Sequence, residues 1–333
     1  MRLALDAMGG DHAPGEIVRG AVAARNAMPD ADILLVGDQA AIRRELDAAG
    51  ASGERLQIVH ASQVVGMAET PVEAVRRKVD SSMRRAVELM ARREADAVVS
   101  AGNTGAFVAA AHMIAKRLPG IRRPGISVVF PTFYGPVVVI DVGANVDSRP
   151  VHLFQYGVMA SVYAREVLDI AEPRVGILSI GEESEKGNEL AREARELMAG
   201  SSLRFCGNAE GRDIFNGRFD VVVCDGFVGN IVLKCVEALA GSVFQTIMQE
   251  VVAMGADAKA ALMPVMTQLQ RRHDAEEYGG APLLGVDGVV IISHGNAKAR
   301  GIANALRVGA TYARQEVNRT IVDEVARARG GHA

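Results

Sequence analysis

The groups able to do chemistry in this chain sit where runs of Val, Ile and Leu give way to small polar loops. Gly102-Asn103-Thr104-Gly105 follows one such run, and Asp225-Gly226-Phe227-Val228-Gly229-Asn230 follows another, ahead of a helix-like stretch carrying Lys234. Glycines let main-chain N–H groups approach an anion, and a helix N-terminus adds a partial positive charge. Together the loops point to phosphate or another small anion; each alone reads equally well as a tight turn using Gly for positive φ. Lys186 lies among Glu182, Glu183 and Glu185, which would hold its ammonium toward a crevice. A solvated Lys ahead of a helix is the plain alternative. His294 closes the last apolar run, placed to donate a proton to a leaving group or a hydrogen bond to an oxyanion, or to serve as a structural histidine.

What is missing narrows the chemistry. Neither a Walker-type phosphate loop nor a G-x-G-x-x-G after a strand occurs, which disfavours nucleotide triphosphatases and standard dinucleotide enzymes. No G-x-S-x-G elbow supplies a serine nucleophile. Cys224 lies between an apolar run and Asp225, and both raise a thiol pKa. Asp6, Asp11 and His12 cluster at one tip, while Asp141 and Asn145 mark another, but Asp at strand ends more commonly caps turns and helix starts than binds metal. Direct attack by a bound anion is then the economical route.

Six polar tips recur, near residues 6–11, 100–105, 141–145, 179–183, 224–230 and 293–296. Continuous Val/Ile/Leu runs read as strands buried on both faces, as in a helix-covered parallel sheet whose carboxyl ends line one ligand crevice. All six tips are therefore expected to converge on one edge. The runs 126–130 and 137–141 flank Pro131-Thr132-Phe133-Tyr134-Gly135-Pro136, the spacing of an antiparallel hairpin. Asp147, Ser148 and Pro150 give helix-start chemistry for 150–168. Strand–loop–helix units follow over 174–198, 219–254 and 289–313. The expected architecture is a three-layer α/β unit over 1–333, with a mostly parallel sheet, one antiparallel hairpin and two lobes around a crevice. With 333 residues, 49% of them hydrophobic, and a net charge of −3, no global basic field argues for nucleic acid. Cys206, Cys224 and Cys235 have no metal-type spacing, which fits a reducing cytoplasm. The N-terminus shows no signal-peptide pattern, and no stretch of about 20 apolar residues lacks polar interruption.

Taken in order, these tips resemble the PlsX family of phosphate acyltransferases nearly end to end. The resemblance is carried by Asp6-Ala7-Met8-Gly9-Gly10-Asp11, Arg77-Lys78 with Ser81-Ser82-Met83, Ser100 to Gly105 and Asp141 to Asn145. It continues through Glu185 to Glu189, Gly207 to Gly211, Asp225 to Asn230, Tyr278-Gly279-Gly280 and His294-Gly295. It implies an enzyme converting long-chain acyl-ACP and inorganic phosphate to acyl phosphate and free ACP. The product would feed a membrane glycerol-3-phosphate acyltransferase in phospholipid synthesis. It also implies a fold similar to isocitrate and isopropylmalate dehydrogenases and phosphotransacetylases, a homodimer, and no metal or nucleotide cofactor. Lys186 and Asn230 match the family's catalytic positions, to orient phosphate or stabilise the tetrahedral oxyanion. Asp6, Gly9, Gly10, Lys78, Asn103, Thr104, Gly105, Asp141, Asn145, Asp225, Gly229 and His294 form the implied phosphate- and substrate-binding set.

Two surfaces complete the expectation. Residues 242–272 hold two apolar stripes, Val243, Ile247, Val251 and Met254, then Leu262, Val265, Met266 and Leu269, parted by Gly255-Ala256-Asp257. They read as a helical hairpin that packs in a core or dimer, or lays Leu262, Met263, Val265 and Met266 on a bilayer between Lys259, Arg271 and Arg272. The resemblance implies attachment of this second kind, hence a cytoplasmic protein with peripheral membrane association. ACP is acidic, so a local basic patch is needed: Arg76, Arg77, Lys78, Arg84, Arg85, Arg92 and Arg93, or Arg271-Arg272. The rivals are an acyl-CoA-using phosphate acetyltransferase, a decarboxylating dehydrogenase and a non-enzymatic membrane scaffold.

Overall fold

The computed structural model describes residues 1–51, 53–272 and 279–330. Its strands are β1 (Arg2–Asp6), β2 (Asp32–Gly37), β3 (Leu56–His60), β4 (Ala97–Ser100), β5 (Gly125–Thr132), β6 (Gly135–Ile140), β7 (Val175–Leu178), β8 (Phe205–Ala209), β9 (Val221–Val223), β10 (Ala281–Leu284) and β11 (Val289–Ile292). Its helices are α1 (Gly15–Ala27), α2 (Gln39–Ala48), α3 (Pro71–Arg77), α4 (Ser82–Ala91), α5 (Thr104–Ile114), α6 (Pro150–Leu168), α7 (Glu189–Ala199), α8 (Gly226–Ala253), α9 (Ala256–Arg272), α10 (Ala299–Arg314) and α11 (Val317–Gly330). Tyr278 lies outside the described residues.

The strands join in one sheet of order β3-β2-β1-β4-β11-β10-β5-β6-β9-β7-β8. Successive side chains of a strand point to opposite faces, and here both faces are dry. Leu3 and Leu5 enter the core on one side while Ala4 enters the core on the other; Ala97 and Val99 divide from Val98 in the same way. That is why the strands read as unbroken apolar runs rather than alternating ones. The three-layer α/β expectation holds, including the β5–β6 hairpin.

Strand direction departs from the expectation. β3, β2, β1, β4 and β11 run parallel. β10 is antiparallel to β11 and to β5, and β5 is antiparallel to β6. β6, β9, β7 and β8 are again parallel to one another. Three reversals in succession leave the second block running opposite to the first. The carboxyl ends of β1, β4 and β11 therefore lie at one edge of the hydrogen-bonded ladder, and those of β6, β9 and β7 at the other. The six tips form two sets of three, not one.

The second block is fastened where β7 and β9 begin. The Arg174 guanidinium grips Asp220 with two 2.8 Å hydrogen bonds, and Asp220 also accepts from the Arg174 main chain at 2.8 Å. Burial alone would raise the Asp220 carboxyl, but these Arg174 contacts outweigh it and hold the group below its ordinary value of 3.8. A depressed carboxylate stabilises the fold above its unfolded pKa, and that contribution disappears as pH falls through the folded value. Asp220→Asn should therefore cost roughly 1.5–3 kcal/mol near pH 7, the scale of hydrogen bonds to charged groups. The deficit should shrink on acidification below the ordinary aspartate value, as read by denaturant unfolding of both proteins across the acid range.

Candidate active site

At the second edge the organising group is Asp141. It is fully buried, and its Oδ1 accepts from the main-chain N–H of Ile126, Gly143 and Ala144 at 3.0, 3.1 and 2.9 Å. Oδ2 accepts from the Asn145 main chain at 2.8 Å and from Asn145 Nδ2 at 3.2 Å. Burial pushes this carboxyl up, and the Ala144, Ile126 and Asn145 donors work against the rise. Asn145 Nδ2 also reaches the Pro124 carbonyl at 2.6 Å and Tyr156 Oη at 2.9 Å. Asp141 and the Asn145 amide nitrogen are thus committed to the framework.

The α8 N-terminus seats on that framework. Gly226 N–H donates to the Asn145 carbonyl, Phe227 and Val228 N–H to Asp225 Oδ1, and Gly229 N–H to the Asp225 carbonyl. The first four N–H groups, normally orphaned, are all taken, and a capping carboxylate sits where a phosphate would have to lie. Asp225 and the Gly-rich start of α8, expected to cradle phosphate, form an N-cap in this structure. Gly229 is present for close approach. A Cβ there would lie 1.9 Å from the Asp141 carbonyl oxygen. Asn230, next in line, is exposed, and its side chain lies beside Gly143.

Lys186 belongs to the neighbouring tip, after β7. It is exposed, and its ammonium makes no hydrogen bond or ion pair among the described residues. Its loop is held from below by Asn208, a buried residue on β8. Nδ2 of Asn208 donates to the carbonyls of Gly181, Glu183 and Lys186 at 3.1, 2.7 and 3.5 Å. The three glutamates expected to steer the lysine do little of this. Glu182 pairs with Arg212 and Arg218, and Glu185 accepts from Ser184. Asn208 was visible only as part of the run Gly207 to Gly211, and nothing in its spacing announces a clamp.

The first edge has a parallel construction. Asp6 is buried; Ser100 Oγ donates to it at 2.7 Å and Met8 N–H at 3.3 Å, while burial raises its carboxyl. Gly9 and Gly10 pack here against Gly102, Ala101 and Gly295, so their role is clearance. Asn103 Oδ1 caps α5 through Ala106 N–H, and its Nδ2 donates to the carbonyls of Gly66, Met67 and Glu69. Lys78 is drawn to Glu69 and to the Val64 carbonyl, so its charge is spent on that loop. Thr104 and Gly105 are exposed and keep their N–H groups without acceptors among the described residues. His294 is exposed, with Nδ1 accepting weakly from Asn296 N–H at 3.4 Å. No hydrogen bond or ion pair among the described residues joins the named residues of this edge to those around Asp141, Lys186 and Asn230.

Cys224 is buried, its Sγ 3.5 Å from the Asp141 carbonyl. Burial first, then Asp141 and Asp225, push its thiol up, which removes it as a nucleophile.

The apolar hairpin is present, but its first arm is longer than expected, since α8 runs unbroken from Gly226 to Ala253. α8 is long and apolar enough to cross a membrane by length and composition, and its most apolar window is 6% buried. Leu239, Val243, Ile247 and Met254 are all exposed. At 100° per residue they fall within one arc of about 80°. Among the four proposed membrane contacts, Leu262 and Val265 are exposed and Met263 is half-buried. Met266, only 7% exposed, turns inward as Val251 does, and is withdrawn from the set.

These features place the chain among α/β proteins built on the phosphotransacetylase fold. The phosphotransacetylase from Streptococcus pyogenes superposes with a TM-score of 0.66 at 19% identity, over 94% of each chain. The chain belongs to the fatty acid synthesis protein family, whose model matches residues 1–320. It is 48% identical over 328 residues to the phosphate acyltransferase of Geotalea daltonii, covering 98% of this chain and 94% of that protein. It is 50% identical over 309 residues to that of Desulforamulus reducens, covering 92% of each.

Gly229 gives the site a sharp test. In an ordinary helix interior Gly→Ala gains roughly 1 kcal/mol. Here the added methyl meets a backbone oxygen that cannot move without disturbing Asp141, so Gly229→Ala should lose at least ~1–3 kcal/mol, the usual cost of overpacking. Thermal unfolding of the purified variant reads the sign directly.

Proposed function

We propose that this chain is a phosphate acyltransferase: it transfers a long-chain acyl group from acyl-ACP to inorganic phosphate, releasing acyl phosphate and free ACP. The carrying observation is the pairing of an uncommitted Lys186 ammonium with exposed Asn230 on neighbouring strand tips, in a chain close to half identical to proteins named phosphate acyltransferase. A phosphate oxygen adds to the thioester carbonyl carbon, and the tetrahedral intermediate expels the carrier thiolate, which takes up a proton. A C–O bond replaces a C–S bond with no redox change. Lys186 orients the phosphate, and Asn230 donates to the developing oxyanion, so no covalent enzyme intermediate is needed.

Thr104 and Gly105 N–H groups lie at the opposite ladder edge, and a second copy of the chain is the natural route by which they would reach the same phosphate. The proposed assembly is a homodimer built on the exposed arc of α8, with α9 laid against a bilayer surface near the downstream acyltransferase. Supplying the chain with palmitoyl-ACP and then with palmitoyl-CoA separates this reading from an acetyltransferase-like one.

Lys186→Ala and Asn230→Ala, both at exposed positions, should each lower turnover of palmitoyl-ACP by about 10²-fold or more with unfolding midpoints near wild type, the loss typical of one oxyanion donor. Wild-type-like turnover in both folded variants would remove them from the mechanism. In a second experiment, Leu239→Glu with Val243→Glu should convert dimers to monomers by light scattering. Leu262→Glu with Val265→Glu should abolish co-flotation with anionic liposomes, and unchanged flotation would sink the membrane assignment.

A further inference from the structure

An acidic carrier needs a cationic landing surface, and α3 and α4 do not provide one. Arg77 pairs with Glu73 and Lys78 with Glu69; Arg84 and Arg92 both pair with Glu88; Arg85 pairs with Asp80 and Arg93 with Asp287. Of the seven cations named there, Arg76 alone has no carboxylate partner among the described residues. The sequence pattern showed charge, but not that six of the seven cations meet a carboxylate in space.

A second group of cations is split between two elements and forms no continuous run in the sequence. Residues 112–152 carry Lys116, Arg117, Arg122, Arg123 and Arg149 against two acids, Asp141 and Asp147, and Asp141 is buried. All five cations are exposed, and none has a carboxylate within ion-pair distance among the described residues. Asp287, whose main chain donates to the Lys116 carbonyl, has its carboxylate on Arg93. His112 and His152 both register the group. Burial lowers each imidazole, and Arg117 and Arg123 act on His112 while Arg123, Arg149 and Arg122 act on His152. Lys116 and Arg117 line one recess, Arg117 donates to the Arg122 carbonyl, and Arg122, Arg123 and Arg149 lie about His152, so the five charges share one surface.

That surface is held firmly and adjoins the proposed reacting groups. Arg122 N–H donates to Gln155 Oε1 at 2.8 Å, Gln155 Nε2 to the Gly120 carbonyl at 2.8 Å, and Leu118 N–H to the Gly285 carbonyl at 3.0 Å. Arg123 directly precedes Pro124, whose carbonyl is bound by Asn145 Nδ2; the Asn145 carbonyl in turn receives Gly226 N–H at the start of α8. From Arg123 to Asn230 the connection is one run of short hydrogen bonds and one helical turn. A recess of about 440 Å³, lined by His112, Lys116, Arg117, Leu118, Gly120 and Ile121, gives the surface relief.

We propose that the loop 116–123, with Arg149, is the docking surface for the acidic carrier protein that delivers the acyl thioester to the Lys186–Asn230 edge. The inference rests on the acyl-ACP reading. An open spread of five unpaired cations suits a partner studded with carboxylates better than a single phosphate, which is gripped by converging donors.

The test uses the full-length protein and two probes, palmitoyl-ACP and palmitoyl-pantetheine; the second carries the same thioester without the acidic protein. Arg122→Glu with Arg123→Glu, and independently Lys116→Glu with Arg117→Glu, should raise KM for palmitoyl-ACP about tenfold or more and flatten its salt dependence, leaving palmitoyl-pantetheine turnover within about twofold. Arg84→Glu with Arg85→Glu should leave both unchanged. Fluorescence-anisotropy titration of labelled unacylated ACP should show the same ranking. Wild-type KM and affinity in both loop variants, or a loss confined to the α4 variant, would overturn the docking assignment while leaving the reaction intact. Loop-dependent ACP binding by a wild-type protein that makes no acyl phosphate would instead overturn the reaction and leave the docking assignment standing.

Discussion

A carboxylate sealed inside the sheet governs the reactive edge. Asp141 draws main-chain donors from the start of β5 and from the turn after β6, and it keeps Asn145 in place to receive α8. An ionised group so far from water is costly unless its lone pairs are filled. The surrounding chain is therefore obliged to point N–H groups at it, and that obligation sets the path of residues 143–145. The bare Gly229 Cα against the Asp141 carbonyl completes the lock. Asn230 inherits its position from this arrangement; nothing else in the fold would put a carboxamide at that spot.

The site divides between residues that hold and residues that are free. Asp6, Asn103, Asp141, Asn145 and Asp225 all look catalytic in a string of letters, and each commits side-chain atoms to the chain. Lys186, Asn230, His294 and the N–H groups of Thr104 and Gly105 have little or no such commitment. In a helix-covered sheet, the polar residues nearest the strand ends are those that must satisfy backbone groups leaving the ladder. The uncommitted ones come a residue or two later. That small offset separates scaffold from chemistry here.

Much of the fold was legible in the sequence because buried strands are written as unbroken Val/Ile/Leu runs, and the start of α6 is marked by a proline in its first turn. Even the β5–β6 hairpin was readable from Pro131 to Pro136. The placement of β10 was not. Four residues, Ala281 to Leu284, slip between β11 and β5 and add two of the three reversals, and no local pattern reveals where a short strand will insert. Those two reversals cancel, so it is the β5–β6 turn that sets the second block against the first and parts the six tips. The compensated charges of α4 were hidden for a related reason: ion pairing depends on which side chains meet in space, and Arg93 finds Asp287 from across the chain. Met266 turned inward because a helix in a hairpin has two sides, and spacing does not say which one faces its neighbour.

Asn208 and Asn103 are built alike. In each, one amide nitrogen faces three carbonyl oxygens and closes a loop over a strand end. Asparagine is among the thermolabile side chains, and its hydrolysis product is an aspartate, which when ionised can only accept. The same atom positions would then present negative oxygen to three carbonyls, turning a clasp into a wedge. The chemical lifetime of two amide groups, shielded only while their loops stay closed, thus limits the molecule apart from the free energy of its fold.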